Sequence, residues 1–246
     1  MNTESYMNFA DVYDTLTDDV EYQRRADYVQ SLINRHFSGR AELLCDLGCG
    51  TGTMCEILSR RGYDCIGIDS SPSMLNIAAG KNADGKVLYL NQDMTEFELY
   101  GTVDVIISLL DSVNYITDDG GIDSLFYLAA NYLNPGGVFI FDVNTRYKFE
   151  NILADNTYVY DKDGIFYTWE NCYEDEYLDI YLNFFVKHSG ETYRRFSEHH
   201  VQRYYSSDCL SSAAKRHGLT VLGIYGDLSQ SAPKDNEERI FFVVGK

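Results

Sequence analysis

The sequence predicts an α/β fold: a doubly wound, mostly parallel seven-stranded sheet with helices on both faces, plus an inserted antiparallel β lobe. Three observations predict it. From residue 42 to 143, short apolar runs alternate with amphipathic stretches, the order of strands and helices in turn. Nearly all of those runs are continuously apolar, which marks strands covered on both faces. After residue 144 the pattern changes to aromatic segments separated by polar turns, which read as antiparallel strands.

The elements follow in order. Residues 19–37 place Val20, Ala26, Val29, Leu32, Ile33 and Phe37 at helical spacing, and SGR ends that helix. ELLCDL (42–47) is a first strand entering a glycine loop, and TMCEILSRR (53–61) a helix ending at Gly62. DCIGID (64–69) is a second strand. SSPSMLNIAAGK opens a helix with serine caps and a proline in its first turn. KVLYLNQD and VDVIISLL are the third and fourth strands, IDSLFYLAANYL is helical, NPGG is a turn, and VFIFDV is the fifth strand. Beyond the lobe, residues 207–217 are helical, and 219–225 and 240–245 complete the sheet, one of them as an edge hairpin. The predicted core is therefore 1–144 with 206–246, and 145–205 is a lobe above the strand ends. In open sheets of this kind the ligand lies at the carboxyl ends of the strands. Those ends carry Asp46, Asp69, Asp93, Asp111 and Asp142.

Charge narrows the function. A formal charge of −18 repels phosphate backbones, so nucleic acid is a poor partner. The first residues lack a basic and apolar leader pattern, and no run approaches the roughly 18 apolar residues that span a membrane. The six cysteines form no CxxC pair and four lie in apolar segments, which reads as reduced, mostly buried thiols of a cytoplasmic protein rather than metal ligands. Oligomeric state leaves no signal.

The chemistry concentrates in DLGCGTG, residues 46–52, with Asp69 following 19 residues after Gly50. A dinucleotide fingerprint needs a third glycine where Thr53 stands, and a nucleotide-triphosphate loop needs a lysine that is absent. This arrangement resembles the first motif of class I S-adenosylmethionine-dependent methyltransferases. The resemblance extends through YDTL (13–16), LLDSVNYI (109–116), NPGGVFIFDVNT (134–145), YTWEN (167–171), E-x-H-x-x-R-x-Y (198–205) and ERIFFVV (238–244), and points to a bacterial, small-molecule branch.

The resemblance implies S-adenosylmethionine as cofactor and no metal. Asp46, Gly48 and Gly50 would approach its methionine end, and Asp69 would accept the ribose hydroxyls. Ser70, Met74, Asp93 and Met94 would line the adenine, while Tyr13 and Asp14 would close over the cofactor from the N-terminal segment. Acidic strand ends suit a phosphate-free ligand carrying a sulfonium and an ammonium. Acceptors in this fold meet the cofactor just past strand four, so Asp111 and Asn114 are candidates to hold an amine or hydroxyl, although turn and cap roles are equally natural there.

On the lobe, period two puts Phe196, Glu198, His200 and Gln202 on one face, and His200 is the candidate base or acceptor contact. A structural histidine is the plainer alternative. Trp169 and the lobe tyrosines read mainly as core. Arg194, Arg195, Arg203, Lys215 and Arg216 form the one concentration of positive charge, by default a solvated face. The expected function is methyl transfer to N or O of a small molecule. A tRNA-modifying enzyme and a non-catalytic S-adenosylmethionine-binding sensor or partner module are the alternatives.

Overall fold

A computed structural model describes residues 3–246, with side chains from Phe9 onward. The chain runs α1 (Thr3–Leu16), α2 (Tyr22–His36), β1 (Leu43–Leu47), α3 (Thr53–Arg60), β2 (Asp64–Asp69), α4 (Pro72–Lys81), β3 (Val87–Asn91), β4 (Val103–Ser108), α5 (Gly121–Tyr132) and β5 (Leu133–Asn144). The lobe follows as β6 (Thr157–Lys162), β7 (Ile165–Glu174), β8 (Tyr177–Ser189) and β9 (Thr192–Arg203), and then α6 (Ser207–Arg216), β10 (Thr220–Gly226) and β11 (Arg239–Gly245) close the chain.

The seven-stranded sheet has the order β10-β11-β5-β4-β1-β2-β3. Strands β5, β4, β1, β2 and β3 are mutually parallel, and β11 runs antiparallel between β5 and β10. The chain order reverses between β1 and β4, which opens the crevice where such sheets bind ligands. Two apolar cores cover the two faces. One centres on Phe126, Phe139, Phe141 and Phe242, the other on Leu32, Leu44, Ile140 and Phe241. β11 is buried along its whole length, as expected for a continuously apolar strand inside the sheet.

The lobe is a four-stranded antiparallel sheet in the order β6-β7-β8-β9. Its inner face packs Leu178, Ile180, Leu182 and Phe184 against Val12 of α1 and against Phe149 and Leu153. Trp169 packs on this cluster and donates from Nε1 to Asn171 Oδ1, so it belongs to the lobe core as expected.

Four local features depart from the sequence reading. The expected helix 19–37 is broken: a 3₁₀ turn (Asp18–Val20) is followed by Glu21 at φ 53°, and only then does α2 begin. The NPGG turn lies within the span of β5, whose pairing with β4 jumps from Leu133↔Val103 to Val138↔Val105, so the four residues between loop out. Helix α1 and a π-helical turn at Lys148–Leu153 were not expected at all. Among the described residues no helix is long and apolar enough to cross a membrane, and all six cysteines are free, Cys45, Cys49, Cys55 and Cys65 being buried.

Candidate active site

The glycine loop links β1 to α3 in a backbone shape that side chains would obstruct. Gly48 has φ 75°, and a Cβ there would lie 2.8 Å from Ser112 Oγ and 3.2 Å from Met94 Cε. Gly52 (φ 74°) packs against the Tyr89 ring and Ala78, leaving no room for a methyl group. Above Gly50 the space is open. Ile68 O accepts from both Gly48 N (2.8 Å) and Cys49 N (3.0 Å), which fastens the loop across the tip of β2. Asp69 completes the hold: Oδ2 accepts from Gly50 N and Oδ1 from Ser71 N, each at 2.8 Å. Each oxygen keeps a second lone pair for a ligand hydroxyl.

Asp46 is buried beneath this loop, with the Cys55 thiol donating to Oδ2 at 3.3 Å. Burial pushes its carboxyl up to about 7; the thiol bond opposes that shift and the nearby charge of Asp69 adds to it. A cavity of about 40 Å³ lies over the loop, lined by Asp46, Gly48, Gly50 and Thr53 and roofed by Tyr13 and Tyr22. Tyr13 thus lines the same cavity as the glycine loop. Helix α1 is tied down by its neighbour Asp14, which accepts from Thr51 Oγ1 (2.6 Å) and pairs with Lys81, and Lys81 also donates to Thr53 Oγ1 (3.2 Å).

The adenine-side expectations fare unevenly. Met74 is buried, and its N–H is capped by the hydroxyl of Ser71, while Ser70 is exposed. Met94 reaches the loop at Gly48. Asp93 is exposed and spends Oδ1 on its own turn, accepting from Thr95 N (2.7 Å) and Thr95 Oγ1 (2.6 Å).

Past β4 the chain makes a turn with two consecutive left-handed residues, Leu110 at φ 58° and Asp111 at φ 55°. Such backbone is costly outside glycine and persists only where the surroundings impose it. Fully buried Asp142 imposes it, accepting from Leu110 N at 2.8 Å and Asp111 N at 2.7 Å. Arg239 then bridges Asp142 and Asp111, reaching Asp111 Oδ1 at 2.5 Å, and Gln202 Nε2 donates to Asp111 Oδ2 at 2.6 Å. Burial works against the charge of Asp111, but Arg239 and Lys148 outweigh it and hold the carboxyl below its usual range.

Asn114 corrects the sequence reading. It is fully buried: Nδ2 donates to Arg203 O (2.8 Å) and Oδ1 accepts from Asn144 N (2.9 Å). Both ends of the amide are taken by backbone, so it clamps the lobe strand β9 to β5 instead of facing an acceptor. Tyr205 adds a second tie, its hydroxyl donating to Ile116 O at 2.5 Å. His200 lies on the buried face of β9, as the alternation implied, against the rings of Phe9 and Tyr115. Burial, with some help from His199, lowers its pKa to about 4. His199 points outward, stacked on Tyr181 and paired with Asp179 at 2.6 Å.

The basic residues do not form a patch. Arg194, Arg203 and Arg216 pair with Asp11, Asp119 and Asp123 respectively. Asp142 and Arg239 carry the site's central ion pair; the sequence reading placed Asp142 only among the strand-end acids and gave Arg239 no role. The signal was present as a single arginine opening an otherwise apolar strand, ERIFFVV.

A reversed αβ sheet with a glycine loop at its switch point, an acid on β2 and no phosphate-binding lysine defines the class I S-adenosylmethionine-binding fold. Residues 44–137 match the methyltransferase domain family. A crystal structure of an S-adenosylmethionine-dependent methyltransferase from Clostridium acetobutylicum superposes with a TM-score of 0.89 and 34% identity, covering 98% of each chain. A Geobacillus sp. (strain WCH70) protein with a provisional methyltransferase name is 31% identical over 98% of this chain and 100% of its own. The dTDP-3-amino-3,4,6-trideoxy-α-D-glucopyranose N,N-dimethyltransferase of Streptomyces venezuelae is 28% identical, over 79% of this chain and 83% of its own. The chain belongs to the class I S-adenosylmethionine-dependent methyltransferases, and S-adenosylmethionine is its cofactor. The residues fit that ligand: open space above Gly50, a free lone pair on each oxygen of Asp69, and acids where a pyrophosphate would be repelled.

Proposed function

We propose that this enzyme methylates a small molecule held between the glycine loop and the β lobe. The mixed charge of the surface beside the site carries the reading. The cavity at the loop, about 40 Å³, is lined by Tyr13 and Tyr22 together with the glycines. A larger cleft of about 890 Å³ beside it mixes Asp14, Asp18, Glu21 and Glu56 with Arg24, Arg60 and Lys81, which gives a nucleic acid no basic surface. Similarity to an amino-sugar methyltransferase supports the same reading. The free thiols suit a reducing cytoplasm.

The cofactor supplies a methyl group already activated by positive sulfur. In this reading Asp46, Gly48 and Gly50 hold its methionine end, and Asp69 holds the ribose. Ser70, Met74, Asp93 and Met94 face the adenine, and Tyr13 excludes water above the loop. Asp111 and His200 border the acceptor, and much of the rate comes from positioning the acceptor lone pair about 3 Å from the methyl carbon.

The test is incubation with methyl-labelled cofactor and pooled cell metabolites. Labelled small product with release of S-adenosylhomocysteine is expected. Label appearing in an added RNA pool instead would move the substrate to RNA, and cofactor binding without any release would favour a sensor.

A further inference from the structure

Four rings form a chain of contacts that begins at the cavity over the glycine loop. Phe9 and Tyr13 of α1 meet edge-on with centroids 5.6 Å apart, Phe9 and His200 are separated by 5.5 Å, and His200 meets Tyr115 edge-on at 5.9 Å. Tyr115 and Asp111 both lie near enough to Tyr13 to raise its pKa, after burial itself, so the arc curves back toward its start. Tyr13 lines the cofactor cavity while Tyr115 is 44% exposed, so the arc runs from the cofactor toward the surface. Three separate parts of the chain supply it: α1, the turn after β4, and β9.

We propose that Phe9, Tyr13, His200 and Tyr115 form the acceptor subsite, and that it takes an amine, so that methylation falls on nitrogen and the product is a methylated ammonium. This rests on the methyltransferase reading above and adds the acceptor's chemistry to it.

Aromatic faces attract a cation within about 6 Å of their centroids, most strongly where water is excluded. Neighbouring centroids 5.5–5.9 Å apart put a group seated against two of these rings within that reach of both. Among the described residues, the cations nearest the site have other partners. Arg239 bridges Asp111 and Asp142, Lys148 Nζ donates to Asn144 Oδ1 at 3.0 Å, and the arginines that do lie over rings cover Tyr225, Tyr204, Phe196, Phe185, Tyr177 and Tyr205.

Proton chemistry points the same way. A hydroxyl acceptor must surrender its proton to a base as it attacks. Asp111 is held low by Arg239 and Lys148 against its burial, and His200 is depressed to about 4, so both are weak proton acceptors. Tyr13 is pushed up and stays protonated. A free-base amine brings its own lone pair. That pair forms the N–CH₃ bond as the methyl C–S bond breaks, and sulfur keeps the bonding electrons. Positive charge passes from sulfur to nitrogen along the ring arc, and any proton left on the product nitrogen goes to water after release.

The experiment is calorimetry on the full chain saturated with S-adenosylhomocysteine, using choline and its neutral carbon analogue 3,3-dimethyl-1-butanol as probes. Choline should bind at least about tenfold more tightly than the analogue, and Tyr115→Leu, checked for unchanged S-adenosylhomocysteine affinity, should weaken choline about tenfold. Equal affinity for the two probes, or no choline binding, overturns the amine assignment. Failure of S-adenosylhomocysteine itself to bind would instead remove the methyltransferase reading. Independently, ¹³C-methyl transfer into pooled metabolites should give an N-methyl carbon shift, and an O-methyl or C-methyl product overturns the proposal.

Discussion

The two sides of this site are made of different materials. The cofactor side is mostly backbone: three loop glycines, the N–H groups of Gly50 and Ser71 on Asp69, and the carbonyl of Ile68. The proposed acceptor side is mostly side chains drawn from far apart in sequence, with Arg239 reaching Asp111 across 128 positions and Gln202 reaching it across 91. A backbone site needs particular residues at particular spacings and so leaves a short motif. A site assembled from distant side chains leaves its pattern scattered.

The largest contrast should come from removing the ion pair on the acceptor side. Arg239→Met leaves Asp111 and Asp142 facing each other without their shared cation, and urea denaturation should show a loss of about 3–5 kcal/mol. A loss below about 1 kcal/mol would mean that the left-handed turn stands without Arg239. On the cofactor side, Asp69→Ala removes an acceptor used by the loop and by the expected ribose contact. S-adenosylhomocysteine affinity should fall about a hundredfold, or ~3 kcal/mol, with the fold intact by circular dichroism. Asn114→Ala breaks the clamp between the sides. It orphans a buried N–H and a carbonyl, so it should cost about 2 kcal/mol and raise hydrogen exchange in β9, while cofactor affinity stays within about twofold.

Protonation separates the two sides by sign. Asp46 has a folded pKa of about 7, above the ordinary carboxylate value of 3.8, so its contribution to stability is present at low pH and is lost as pH rises through that window. His200 is depressed from 6.5 to about 4, so its contribution is present above 6.5 and is lost as pH falls toward 4. Between pH 4 and 6.5 the two slopes oppose each other. Relative to wild type, Asp46→Asn should gain stability with rising pH and His200→Asn should lose it, each by at most about 1.4 kcal/mol per pH unit in urea melts. Parallel slopes in the two variants would contradict the assignment. The smallest effect belongs to Arg216→Ala, which breaks an exposed pair with Asp123 and should cost less than about 1 kcal/mol.

The parallel core was legible because buried strands must be apolar throughout, and VDVIISLL and VFIFDV could be little else. DLGCGTG with Asp69 was legible for the reason given above. Helix α1 was not, because Phe9 and Val12 gain their burial only against a lobe encoded some 150 residues later. The role of Asn114 was hidden too, since an amide that clamps two strands and one that greets a ligand look identical in a linear chain. Asp93 carries a second, local signal: its Asx turn with Thr95 is readable from D-x-T.

Helix α1 has a kinetic consequence. Asp14 fixes it to the glycine loop and to α4, Tyr13 roofs the cofactor cavity, and Phe9, one turn earlier, packs on His200 of the lobe. In the proposed reading one helix walls both the cofactor and the acceptor compartments, so the acceptor compartment is complete only with the helix seated over the loop. Turnover should follow a compulsory order, with cofactor first on and its product last off. Product inhibition by S-adenosylhomocysteine should then be competitive against the cofactor and non-competitive against the acceptor.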